Sequence, residues 1–182
     1  MKIHATEIPG VVVLEPKVFE DPRGFFMETY RKSLFQELRV DADFVQDNHS
    51  RSVKNTLRGL HFQIQHPQGK LVRVIRGEVF DVAVDLRRGS PAFGRWVGVS
   101  LSERNRLQLY VPPGLAHGFC VTSDVAEFIY KCTDYWHPEH ERTLLWNDAH
   151  VGVQWPACEP LLSDKDSRGL PWSEIPFFET SP

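Results

Sequence analysis

The sequence predicts an all-β protein, a sandwich or barrel with a few short helices. Period-2 alternation of apolar and polar residues dominates the middle of the chain. The alternating segments are short, and clusters of Gly, Pro, Ser and Asn separate them at close intervals. Many short strands at such spacing belong to sandwiches and barrels. The 182 residues fit one domain over 1–182, with 41% hydrophobic and 25% charged residues, values ordinary for a globular protein.

In chain order, Ser33 is placed to cap a short helix, with Leu34, Phe35 and Leu38 on one face. Leu71 to Ile75 is β-branched and strand-like. In the next strand Phe80, Val82, Val84 and Leu86 point one way, and Val79, Asp81, Ala83 and Asp85 the other. Arg76-Gly77-Glu78 between the two reads as a tight turn, so a hairpin is expected. Strands follow at Arg95 to Leu101, Leu107 to Val111, Phe119 to Thr122 and Glu127 to Thr133, with turns at Arg87-Arg88-Gly89-Ser90-Pro91 and Pro112-Pro113-Gly114. The last stretch, rich in Pro and Trp, is expected to wrap the outside.

Composition excludes several functions. A net charge of -3 lacks the basic surplus of general nucleic-acid binding. Cys120, Cys132 and Cys158 are odd in number and form no Cys-x-x-Cys pair, which argues against a disulfide framework or zinc site and for a reducing compartment. Met-Lys-Ile-His-Ala-Thr-Glu has no apolar signal core, and no apolar run reaches the roughly 18–20 residues that cross a bilayer. A cytoplasmic protein without membrane association is expected.

Two segments carry chemistry. In Leu57-Arg58-Gly59-Leu60-His61-Phe62-Gln63, strand alternation turns His61 and Gln63 away from the apolar row of Leu60, Phe62 and Ile64. Such a histidine serves most often as a hydrogen-bonded structural residue; a general base or a metal ligand are the sharper readings. The second segment, Pro112-Pro113-Gly114-Leu115-Ala116-His117, contains Pro-x-Gly-x-x-His and resembles the second motif of the cupin superfamily. In the first cupin motif, His-x-His and a later Glu ligate metal. Here the matching positions hold His61, Gln63 and Lys70. A lysine repels a divalent ion that needs three or four neutral or anionic ligands, so no metal is expected. A lysine beside a histidine instead suits stabilising negative charge on a substrate oxygen.

A series of blocks runs through the chain: Phe19-Glu20-Asp21-Pro22-Arg23-Gly24-Phe25-Phe26 with Glu28, Phe44 to Ser50, Leu57 to His61, Gln68 to Arg73, Gly77 to Asp85, Pro113 to Phe119, and Leu162 to Asp166. On these blocks the whole chain resembles the family of dTDP-4-dehydrorhamnose 3,5-epimerases. The resemblance implies a cupin-type jelly roll and a dTDP-linked 6-deoxyhexose with a ketone at carbon 4. It further implies His61 as base, Asp166 as the carboxylate orienting it, Lys70 as enolate stabiliser and Tyr130 as acid. Alternation places Tyr130 on the face of Phe128 and Cys132. Arg23 and Arg58 match diphosphate contacts, Glu28 and Gln46-Asp47-Asn48 the nucleotide segment, and Phe19 and Phe26 thymine-stacking positions. His117, Glu141 and Lys165 complete the implied binding set. The resemblance also implies a homodimer in which N-terminal strands are exchanged and help form the partner's site. His49, His66, His137, His140 and His150 are assigned to surface or turns. Two competing readings stand beside it: an epimerase acting at one carbon only, and a metal-binding or non-catalytic sugar-binding cupin.

Overall fold

The computed structural model describes residues 1–37, 43–156 and 159–179. Two antiparallel sheets face each other. The first has six strands in the order β1 (Lys2–Ala5), β2 (Val12–Glu15), β10 (Gln108–Val111), β7 (Lys70–Arg76), β12 (Val125–Cys132) and β5 (Gln46–Val53). The second has five: β13 (Glu141–Thr143), β6 (Leu57–Gln63), β11 (Leu115–Val121), β8 (Glu78–Asp85) and β9 (Trp96–Ser102). A separate hairpin joins β3 (Val18–Asp21) to β4 (Gly24–Met27). The helices are single turns or little more, α1 (Lys32–Glu37) and α2 (Asp164–Ser167). No helix among the described residues is long and apolar enough to cross a membrane.

Alternation sorts the side chains into layers. Val72 and Val74 of β7, Phe128 of β12, Val79 and Ala83 of β8 and Phe119 of β11 meet in one apolar cluster. The opposite face of the five-stranded sheet carries Leu60, Phe62, Val82, Val84 and Leu86. These pack under Leu144, Val151, Trp172, Ile175 and Phe178 of the C-terminal segment. Both faces of β8 are therefore buried.

The expected hairpin between Leu71–Ile75 and Val79–Leu86 does not form. β7 pairs with β10 and β12, whereas β8 pairs with β11 and β9 in the other sheet. Gly77 is the corner at which the chain changes sheets. It sits at φ +75°, and a Cβ there would lie 2.0 Å from the Val125 carbonyl oxygen. The close approach of β12, not a two-residue turn, explains the glycine. The helix also begins two residues earlier than expected, so Ser33 lies inside its first turn. Phe35 is its buried residue, set against Tyr30 and Phe44, and Leu38 lies outside the described residues.

Candidate active site

The sandwich is apolar along most of its length and polar at one end. There the start of β5, the start of β7 and the end of β12 come together, because Gln46 pairs with Cys132 and Cys132 with Lys70. A cavity of about 310 Å³ opens at this end. His61 and His117, paired across β6 and β11, line its five-stranded wall, while Lys70 and Tyr130 line the six-stranded wall. As alternation predicts, Tyr130 shares the inner face with Phe128 and Cys132.

Asp166 reaches His61 from behind through the C-terminal segment. Leu57 N–H donates to Leu161 and Leu161 N–H to Asn55, so residue 161 is tied to the start of β6. Ser163 then caps α2, accepting from the Asp166 N–H and donating its hydroxyl to Asp166 Oδ2 at 2.6 Å. The other oxygen, Oδ1, stands 2.6 Å from His61 Nε2 and accepts a longer bond from Gly59 N–H. Burial opposes the Asp166 charge, but the hydrogen bonds from His61 and Ser163 outweigh it and hold the carboxyl below the usual aspartate range. An ionised carboxylate only accepts, so Nε2 carries the ring proton and Nδ1 is left with its lone pair. For His61 itself, burial outweighs the pull of Asp166, and with Lys165 and Lys70 nearby it lowers the imidazole pKa. The ring is neutral at neutral pH, the state a base requires.

Tyr130 has the opposite character. Burial, reinforced by Cys132 and Glu141, pushes its pKa up to about 12, so the phenol holds its proton. Its hydroxyl makes no hydrogen bond with the described residues. The Lys70 side chain likewise makes no hydrogen bond or ion pair with the described residues, and burial lowers its pKa despite the negative groups around it. His117 Nε2 contacts the fully buried Asp81 at 2.8 Å. Burial raises the Asp81 pKa against the influence of His117 and Lys70, and its Oδ2 lacks a partner among the described residues. A Cβ on Gly118 would lie 2.6 Å from the Arg58 carbonyl, so only glycine lets β11 approach β6 closely here.

Of the other sequence-predicted residues, Gln46, Asn48, Arg58, Glu141 and Lys165 line the cavity. Arg58 Nε donates to Ser52, and its terminal amino groups make no hydrogen bond with the described residues. Lys165 and Glu141 are paired at 2.9 Å. Asp47 does not join them: alternation turns it to the outer face of β5, where it pairs with Lys131. Phe19, Arg23 and Phe26 lie on the β3–β4 hairpin, away from this chain's cavity, and Glu28 follows it, paired with Arg31. Phe19 and Phe26 are 52% and 69% exposed. Sequence reasoning did not single out Asp81, Ser163, Gln68 or Trp136. Ser163-x-x-Asp166 is a capping pattern and was findable; the other three carry no local signal.

The donor set does not suit a cupin metal. Gln63 spends its amide on backbone groups, donating to the His66 and Tyr135 carbonyls and accepting from His137 N–H. His61 and His117 each engage a carboxylate through Nε2, and the position of the usual glutamate is the cation Lys70. A neutral imidazole held by aspartate on one wall and a protonated phenol on the other give one cavity a proton acceptor facing a proton donor, an arrangement that suits a cupin-type isomerase. Comparison with known proteins agrees. The family described as dTDP-4-dehydrorhamnose 3,5-epimerase matches residues 5–174. The dTDP-4-dehydrorhamnose 3,5-epimerase of Shigella flexneri is 53% identical over 98% of this chain and 99% of its own. That of Neisseria gonorrhoeae is 57% identical over 96% of this chain, which spans about half (53%) of that longer protein. The crystal structure of dTDP-6-deoxy-D-glucose-3,5-epimerase from Legionella pneumophila, in complex with dTDP-4-keto-L-rhamnose, superposes with a TM-score of 0.93. It is 49% identical, over 96% of this chain and 94% of that one. The chain belongs to the dTDP-4-dehydrorhamnose 3,5-epimerase family.

Proposed function

We propose that this epimerase converts dTDP-4-dehydro-6-deoxy-D-glucose to dTDP-4-dehydro-L-rhamnose by inverting carbons 3 and 5. The observation that carries the reading is the placement of His61 and Tyr130 on opposite walls of one cavity. The carbon-4 ketone acidifies both neighbouring C–H bonds. His61 Nδ1 takes the proton, and the C–H electron pair moves into the carbonyl to give an enolate. The Lys70 ammonium, whose side chain makes no hydrogen bond with the described residues, stabilises that oxygen. Tyr130 protonates the carbon from the other face. His61 and Tyr130 then regain their starting states by proton exchange with solvent, so no redox cofactor is needed. Incubation in deuterated water should place deuterium at both carbons. Exchange at carbon 3 or 5 alone would make the protein a single-site epimerase.

Arg58, whose terminal amino groups make no hydrogen bond with the described residues, suits a diphosphate, and Gln46, Asn48, His117, Glu141 and Lys165 supply polar contacts around it. We assign Phe19, Arg23, Phe26 and Glu28 to the cavity of a second copy in a homodimer. The hairpin carries exposed aromatics beyond the sandwich, the form of an arm awaiting another surface. A chain that sediments as a monomer yet turns over at full rate would remove these four residues from the site. The cytoplasm is the proposed setting, consistent with the free buried thiols of Cys120 and Cys132.

These assignments fix the pH profile of kcat/KM. His61 must be neutral, and its pKa is lowered from 6.5, so activity rises through a pH below 6.5 and is on its plateau at neutrality. Lys70 must be charged, and its pKa is lowered from 10.5, so activity falls through a pH below 10.5. Tyr130, at about 12, adds no limb in that range. In Lys70→Arg the basic limb should move upward; an unmoved limb assigns it to another group.

A further inference from the structure

Outside the catalytic cavity, two loops bring imidazoles and a carboxylate together at its rim. We propose that His66, Asp134 and His137 bind a divalent transition ion of the zinc type, which pins the segment 65–69 to the segment 134–140. One donor atom from each of the three lies within 4.8 Å of the others. His66 Nδ1 and Asp134 Oδ2 are 3.4 Å apart. That matches the edge, roughly 3.4 Å, of a tetrahedron with bonds of about 2.1 Å. The His66 and His137 rings lie nearly parallel with centroids 4.4 Å apart. The His140 ring is 5.9 Å from His66, and Glu139 Oε1 is 3.5 Å from His137 Nδ1, so further donors stand within a side-chain rotation.

The backbone beneath these side chains is already fixed. The buried Gln63 amide donates to the His66 carbonyl at 2.7 Å and accepts from His137 N–H at 2.8 Å, clamping both segments at once. Gln68 Nε2 donates to the Asp134 carbonyl at 2.9 Å. The ligand-bearing positions are thus held in register before any ion arrives, which lowers the ordering cost of binding. Two imidazoles and one carboxylate suit zinc, copper or nickel and do not suit the all-oxygen preference of calcium or magnesium. None of the three residues lines the catalytic cavity, but Gln68 and Trp136 on the same two segments do. A bound ion therefore couples to the cavity mouth without touching the reacting groups.

The test is a cobalt(II) titration of the full chain after chelator treatment, read by visible d–d absorption and by zinc competition. One equivalent is expected to bind, with affinity reduced at least tenfold in His66→Ala and in His137→Ala. His49→Ala should titrate like the wild type, and magnesium should not compete. Both alanine variants should retain wild-type turnover in chelator, which certifies their folding; the glutamine variant at the same position, His66→Gln or His137→Gln, replaces any that does not. An unchanged titration in both variants overturns the proposal. So does loss of binding in a His61→Asn variant, which would place the ion in the catalytic cavity.

Discussion

His61→Asn is expected to lower kcat by about 10² to 10⁴, the range of a lost general base. Deuterium exchange should disappear at carbons 3 and 5 together, because one Nδ1 lone pair serves both. Asparagine is the appropriate replacement. It is smaller than histidine but offers an amide N–H to Asp166, whose carboxylate sits 2.6 Å from the ring and is buried. Alanine would leave that charge with fewer partners and confuse catalysis with folding. Binding of dTDP should survive, since Arg58 and Lys165 are untouched. Exchange at a wild-type rate in the asparagine variant would remove His61 as the base. Exchange lost at one carbon only would require a second base in the cavity.

Tyr130→Phe is expected to separate exchange from inversion. The phenol makes no hydrogen bond with the described residues, so phenylalanine orphans no partner and stability should change by no more than about 0.5 kcal/mol. Proton removal by His61 remains possible, but the enolate loses the donor on its far face. Epimerised product should form about 10² to 10³ more slowly. Deuterium should still enter the starting sugar with its configuration retained, by return through His61. The measurement is mass spectrometry of recovered substrate alongside reductase-coupled product assay. Inversion at the wild-type rate would move the acid role to another group lining the cavity, such as Cys132 or Lys165.

The two variants probe different kinds of legibility. His61 was visible as a histidine turned away from an apolar row, but its strand could not distinguish base, ligand or structural residue. The partner that decides the matter is 105 positions away, brought in by the Leu161 ladder and the Ser163 cap. Strand β5 was not legible by hydrophobic periodicity. Its inner face is Gln46, Asn48, Ser50 and Ser52, three of which line the cavity, so polar residues occupy both sides of the strand. The hairpin at Gly77 failed for the opposite reason. A glycine between two alternating runs has the same appearance whether the chain folds back or turns a corner into the facing sheet. Asp47 was named with its neighbours, yet period-2 geometry sends adjacent residues to opposite faces and puts it on the outside.

The sequence by itself determined the all-β class, the strand faces of β6, β8 and β12, and the family, because alternation and ordered blocks are properties of the chain read along its length. Only the tertiary structure decided which strands share a sheet and that His61 and Tyr130 face each other across one cavity. It also decided that the β3–β4 hairpin stands apart from that cavity. Those outcomes depend on pairings between residues far apart in the chain. The burial that keeps Tyr130 protonated and His61 neutral exists only once the sheets have closed around it.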